Sequence, residues 1–280
     1  MKTKLYVSSW IVFALTACGG YYQGNLVPET DSAIVGGKET TLGNPAAKYV
    51  VLIYDNSTKN YCTGLLIKKN LILTAAHCAS KDAKDMTLAF GLKPMSGDYV
   101  MRQAAKTLVH DLYKKGAATE RNDLALILMK TDAPPGYMPV LLPDESFPLK
   151  QGLTFTAAGY GRTSGKKVPN SDTQGSGYLR NVDLTIDSFN STQTQFYVDQ
   201  KFNKGICNGD SGGPALMRYQ DKDYAVGVAS AISWSVPDEI NENEKKQYVD
   251  NKDVCAEKSI YMNVQKFRAW IDKGSKQLLN

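Results

Sequence analysis

Short apolar runs, many of them rich in β-branched and aromatic residues, recur along this chain between turns of Gly, Asn, Asp and Lys. Tyr49 to Tyr54, Gly64 to Ile67, Leu71 to Thr74 and Leu124 to Met129 form one series. Thr154 to Ala158, Val182 to Ile186, Tyr224 to Ala229 and Ile260 to Asn263 form a second. Many such runs at modest spacing predict strands of a barrel or sandwich. The end of the chain changes period: Val264, Phe267, Ile271 and Leu278 recur at helical spacing, with Asn263 placed to cap the N-terminus. The predicted class is all-β with a C-terminal α-helix, packed on the later strands.

The first residues follow another pattern. Met1-Lys2-Thr3-Lys4 is basic and the run Leu5 to Ala17 is mostly apolar, too short to span a bilayer, so residues 1–17 read as an export signal. Residues 19–33, with Gly19, Gly20, Gly24 and Pro28, have the composition of a tether. Charge adds little. Across 280 residues, 33 Lys+Arg against 28 Asp+Glu leave a net +5 that is spread out, and the absence of a basic stripe argues against nucleic-acid binding. Five cysteines without CxxC or His-rich spacing give no reason to expect a metal, and no cofactor is expected either.

The chemistry is concentrated in Gly205-Ile206-Cys207-Asn208-Gly209-Asp210-Ser211-Gly212-Gly213-Pro214. Glycines around a serine imply a backbone that turns tightly or is closely approached, as an exposed nucleophile beside oxyanion donors requires. A serine hydroxyl also needs a base. Both histidines, His77 and His110, precede Ser211, which excludes the α/β-hydrolase order, where the histidine follows the nucleophile.

Leu73-Thr74-Ala75-Ala76-His77-Cys78, Asn122-Asp123-Leu124-Ala125, the serine stretch and Ala33-Ile34-Val35-Gly36-Gly37 together resemble the chymotrypsin/trypsin family of serine proteases, from about Ile34 to the C-terminus. The resemblance implies two antiparallel six-stranded barrels, one about 34–145 and one about 146–280, with a cleft between them. It implies His77, Asp123 and Ser211 as catalytic triad and the N–H groups of Gly209 and Ser211 as oxyanion hole. It further implies disulfides Cys62–Cys78 and Cys207–Cys255, and an activation ion pair between a freed Ile34 ammonium and Asp210. Gly159-Tyr160-Gly161 matches a family turn with Tyr for Trp, and His110 reads as a structural loop histidine.

On the same resemblance Gly205, Ile206, Ser230, Ile232 and Ser259 frame an uncharged, shallow specificity pocket for small aliphatic side chains. An alternative match, with Ser233-Trp234-Ser235 as the wall, would leave it open. The insertion 233–254 is either a solvated surface loop or a flap over the substrate groove. Leu15-Thr16-Ala17-Cys18 is similar to the lipobox of bacterial lipoproteins, which implies a lipid on Cys18 and a lipid-anchored propeptide over 18–33. The expected protein is thus an exported, monomeric serine endopeptidase. It is held at a bacterial membrane or cell surface as a zymogen, released on activation, and acts on proteins or peptides under the control of protein inhibitors. A catalytically silent binding protein on a protease scaffold is the alternative, but such proteins usually lose part of the constellation this chain retains.

Overall fold

The structure, a computed structural model, describes residues 34–114, 122–166, 175–200 and 204–280. The export segment 1–17, Cys18 and the tether 19–33 lie outside the described residues.

Strand β1 (Lys38–Glu39) comes first, then β2 (Val50–Asp55), β3 (Tyr61–Lys68), β4 (Leu71–Thr74), β5 (Met86–Lys93), β6 (Asp98–Val109) and β7 (Ala125–Met129). β2 to β7 close into an antiparallel barrel in the order β2-β3-β4-β7-β6-β5. Closure, with the packing of the later strands on its outside, explains why several of these strands read as continuous apolar runs. Successive side chains point to opposite faces, and here both faces are dry. On β2, Val51 and Ile53 enter the barrel core, with Ile72 of β4 and Ile127 of β7. Val50 and Leu52 face outward into a second cluster with Leu71, Leu73 and Leu126. That outer cluster also takes in Val228, Ile260 and Met262 from the later strands, so it is the seam joining the two halves.

The later strands are β8 (Thr154–Gly159), β9 (Arg180–Thr185), β10 (Ser188–Phe189), β11 (Gln195–Val198), β12 (Pro214–Tyr219), β13 (Lys222–Ser233) and β14 (Lys258–Asn263). They form a sheet in the order β1-β9-β8-β12-β13-β14-β11-β10. A second closed six-stranded barrel was expected. The sheet instead has six principal strands, and its outer strands β9 and β11 pair with the two-residue strands β1 and β10. Its core holds Phe155, Phe196, Val226 and Tyr261, together with Ile34 from the start of the described chain. Residues 34–39 therefore belong structurally with the second half, across the boundary expected near 145.

Helix α1 (Glu242–Asn251) lies in the insertion, capped by Asn241, whose side chain accepts from the N–H groups of Asn243 and Glu244. Helix α2 (Val264–Leu279) begins at the predicted cap, Asn263, and buries all four predicted apolar positions. It does not rest on the second half alone. A Cβ added at Gly274 would lie 2.8 Å from methyls of Leu108 on β6 and of Leu126 on β7, so the helix also packs closely on the first barrel.

Candidate active site

His77 sits in a single helical turn, Ala76–Cys78, directly after β4. Cys78 is bonded to Cys62 on β3, which ties that turn to the barrel wall; Cys207 is bonded to Cys255. Both disulfides are those the family resemblance implies, and each contributes about 2–4 kcal/mol of stability.

Asp123 precedes β7 and is fully buried, while the His77 side chain is 25 % exposed. Its Oδ2 lies 2.9 Å from His77 Nδ1, and its Oδ1 accepts the His77 backbone N–H at 3.0 Å. Ser230 donates its hydroxyl to Oδ2 at 2.6 Å. Burial pushes the Asp123 carboxyl up, but the hydrogen bonds from His77 and Ser230 and the charge on His77 outweigh it and hold the group below its usual value. An ionised carboxylate only accepts, so His77 Nδ1 carries the proton and Nε2 is left as the ring's acceptor.

The serine loop hangs on β3. Thr63 donates its N–H to the Ser211 carbonyl at 2.8 Å and its hydroxyl to the Gly209 carbonyl at 2.8 Å, and Thr74 donates to the Thr63 carbonyl. Cys78 Sγ lies 3.5 Å from the Ser211 carbonyl oxygen and within 4.8 Å of a His77 ring nitrogen, so serine and histidine flank one disulfide. Gly209 (φ 99°) and Gly212 (φ 82°) adopt left-handed backbone. Added Cβ atoms there would meet the Tyr61 ring at 2.2 Å and Thr74 Oγ1 at 2.0 Å, so only glycine fits either place. Among the described residues, the N–H groups of Gly209 and Ser211 donate to no protein acceptor.

Asp210 is completely buried. Its Oδ1 accepts from the N–H of Gly161 and its Oδ2 from that of Cys207, each at 2.8 Å. Burial pushes its carboxyl up to about 7, against the pull of those two bonds and of Arg180. Cβ atoms on Gly159 or Gly161 would lie 2.2 and 2.5 Å from its carboxylate, which accounts for the Gly-Tyr-Gly turn. Tyr160 between them reaches the first barrel and donates to the Gly91 carbonyl at 2.8 Å. Ile34 is buried as well, with φ 57°, an unfavourable region for a β-branched residue.

A cavity of about 210 Å³ opens beside Ser211, walled by Ile206, Cys207, Ser230, Ala231, Ile232, Trp234 and Val254, with no charged side chain. Ile232 and Trp234 both line it, so both of the competing wall segments contribute. A register shift between Ala229 and Ala231 of β13 is the reason: a bulge re-aims side chains, and position counting cannot follow it. Two expected pocket residues are not in the lining. Gly205 faces the carboxamide of Gln200, which fills the space beneath it, and Ser259 is wholly buried opposite Ile232 and Val198. His110 packs against Trp270 at 4.8 Å and meets Phe267 edge-on at 5.5 Å, as a structural histidine. Burial lowers its pKa, and its Nδ1 accepts the Leu112 N–H.

Sequence reasoning passed over Thr63 and Gln200, which stand in no motif, and quoted Thr74 only as part of the His77 motif. Thr63 reaches Gly209 across 146 residues, and Gln200 ties Ile206 to Cys255. The insertion is anchored where it ends: Asp253 accepts from the N–H groups of Gly165 and Cys255 and from the Ser164 hydroxyl.

Comparison with known proteins bears on what this arrangement is. The family model described as Trypsin matches residues 34–271. Trypsin epsilon of Drosophila erecta is 26% identical over 289 residues, covering 96% of this chain and 98% of its own. Granzyme B of Rattus norvegicus is 28% identical over 74% of this chain and 84% of its own. Chymase of Cavia porcellus is 30% identical over 65% and 76%. With His77 held by a buried Asp123 on a chymotrypsin-like fold that carries a glycine-flanked serine, and a family model spanning residues 34–271, the chain belongs to the trypsin family of serine proteases.

Proposed function

We propose that the chain is a serine endopeptidase made as a zymogen, with His77, Asp123 and Ser211 as its catalytic triad. The observation that carries this reading is the 2.9 Å contact of His77 Nδ1 with a fully buried Asp123, which leaves Nε2 as base. His77 takes the Ser211 proton as Oγ attacks the substrate carbonyl. The resulting oxyanion is received by the N–H groups of Gly209 and Ser211, which donate to no acceptor among the described residues. His77 then returns the proton to the leaving amine, and an acyl-enzyme forms that water hydrolyses by the same route. Asp123 stays ionised throughout and steadies the imidazolium.

The uncharged 210 Å³ cavity supports cleavage after small aliphatic residues, because an unpaired Lys or Arg would be costly to bury there. Trp234 and Val254, at the two ends of the insertion, both reach this cavity, which supports a role for residues 233–254 in framing the substrate site.

Activation is by cleavage of the Ala33–Ile34 bond, where the new ammonium pairs with Asp210. The buried, cation-seeking Asp210 and the buried Ile34 support it. The residue before the cut is alanine, which suits the specificity inferred for the enzyme itself. Residues 1–17 act as export signal and Cys18 as lipid attachment, on the strength of the sequence Leu15-Thr16-Ala17-Cys18. The other four cysteines are bonded within the catalytic domain, so the cut that activates also releases it from the anchor.

The test is labelling with a serine-directed fluorophosphonate and hydrolysis of Ala, Val, Lys and Arg peptide substrates by the processed chain. Labelling lost in Ser211→Ala, and turnover reduced about 10⁶-fold in His77→Ala, are expected. Near-normal activity of His77→Ala would refute the triad, and strong cleavage after Lys or Arg would refute the pocket. For release, active protein that begins at Ile34 yet stays in the membrane pellet would refute the scheme.

A further inference from the structure

We infer that the carboxamide of Gln200 sets the depth of the cavity beside Ser211 and so limits the side chain that enters it. The inference rests on the peptidase reading above. Gln200 follows β11 and is 1 % exposed. Its Nε2 donates to the carbonyls of Ile206 at 3.0 Å and Cys255 at 2.8 Å, and its Oε1 accepts the Ile206 N–H at 2.7 Å. These partners fix which end of the amide is which, since the reverse orientation would set NH₂ against N–H and oxygen against two carbonyls.

The position of those bonds matters more than their number. Ile206 and Val254, the neighbour of Cys255, both line the cavity, and the Cys207–Cys255 disulfide joins the same two segments. Gln200 is a second, non-covalent tie between them. Its Cδ, Oε1 and Cγ lie 2.2–2.6 Å from where a Cβ on Gly205 would stand, so the side chain occupies the room that a larger residue at position 205 would claim. Gly205 is glycine here because Gln200 is glutamine.

Gln200 also lines a separate depression of about 550 Å³, together with Asp183, Asp187, Asp199 and Lys204. The carboxamide is therefore a partition. On one side is a small uncharged cavity at the serine; on the other is a larger space bearing charged side chains. With the partition in place no entering side chain extends past Ile206, and none reaches a negative charge.

The experiment compares kcat/KM for otherwise identical peptides ending in Ala, Val, Leu, Phe and Lys, using the full chain after processing, with each variant's active sites titrated by fluorophosphonate. Gln200→Ala should raise the Leu/Ala and Phe/Ala ratios at least about 10-fold, the order expected for gaining one or two methylenes' worth of apolar contact. Gln200→Met restores the volume without the hydrogen bonds. It should keep the wild-type ratios while the titratable fraction falls. Should Gln200→Ala fail to fold, Gln200→Asn, one methylene shorter with the amide retained, should shift the ratios in the same direction by less. Unchanged ratios in a titratable Ala or Asn variant overturn the inference, as does a Met variant that broadens as far as Ala. A wild-type chain that resists labelling, or that is labelled but prefers Phe or Lys, instead overturns the peptidase or small-pocket reading, whatever the variants do.

Discussion

The proposed activation makes Asp210 a source of instability before cleavage, and the size of that effect follows from its surroundings. The carboxylate is wholly enclosed and receives hydrogen bonds from two backbone N–H groups, those of Gly161 and Cys207. Burial raises its carboxyl from 3.8 to about 7. A carboxyl whose folded value is raised supports the fold while it keeps its proton. Its contribution is complete below about pH 4 and is lost as pH rises through about 7. A rise of some three units at 1.36 kcal/mol each is roughly 4 kcal/mol, a large part of a typical domain's 5–15. The measurement is urea unfolding of the uncut Ser211→Ala chain, which cannot process itself, against the same chain carrying Asp210→Asn, between about pH 4.5 and 8.5. The asparagine loses one of the two hydrogen bonds at every pH, so only the slope is informative. The Asp210 chain should lose on the order of 3 kcal/mol relative to the Asn chain across this window, the part of the full change that lies above about pH 4.5, with unchanged m-values. After cleavage at Ala33–Ile34 the ammonium supplies the missing charge and the loss should disappear. Parallel pH curves for the two uncut chains would refute the reasoning.

Other outcomes follow from the same geometry. Asp123→Asn should lower kcat about 10⁴-fold by favouring the wrong His77 tautomer, with little change in KM. Ser230→Ala removes a hydroxyl donated at 2.6 Å to the buried Asp123; a loss of roughly 2 kcal/mol, about 30-fold in kcat/KM, is expected, and Ser230→Thr should recover part of it. Gly161→Ala places a Cβ 2.5 Å from the Asp210 carboxylate. Fluorophosphonate labelling should be abolished in that variant even where near-UV circular dichroism shows a packed core.

What the sequence made legible is chemistry that demands particular residue types close together. His77 beside Cys78, Asp123 at the head of an apolar run and Ser211 among glycines are local signals, and the structure brings the first two into contact as expected. The runs of the first barrel were legible because closure buries one face of strands such as β2 and the seam with the later strands buries the other. The pocket was less so: the bulge at Ser230 shifts which of its neighbours face inward, and a count along the chain assumes no bulge. Gln200 was invisible because its role depends on Ile206 and Cys255, which the chain brings to it only after folding. Helix α1 has few apolar residues, so no period marked it. The placement of α2 across both halves was missed because an apolar stripe tells that a helix is covered, not by what.

That placement bears on the order in which the protein is made. Every strand of the first barrel is synthesised well before α2, yet Leu108 and Leu126 on its outer surface are matched to Gly274. Until the helix arrives, Leu108, Leu126 and the His110 ring lack the cover that Gly274, Phe267 and Trp270 give them. A nascent chain carrying His77 and Asp123 on a folded barrel is therefore an unfinished protein with an open apolar flank, the kind of intermediate that chaperones hold and proteases clear. The helix that covers this flank is added after Ser211 has been translated. A chain cut short after the serine loop therefore contains His77, Asp123 and Ser211 yet leaves exposed the flank that α2 covers in the finished protein.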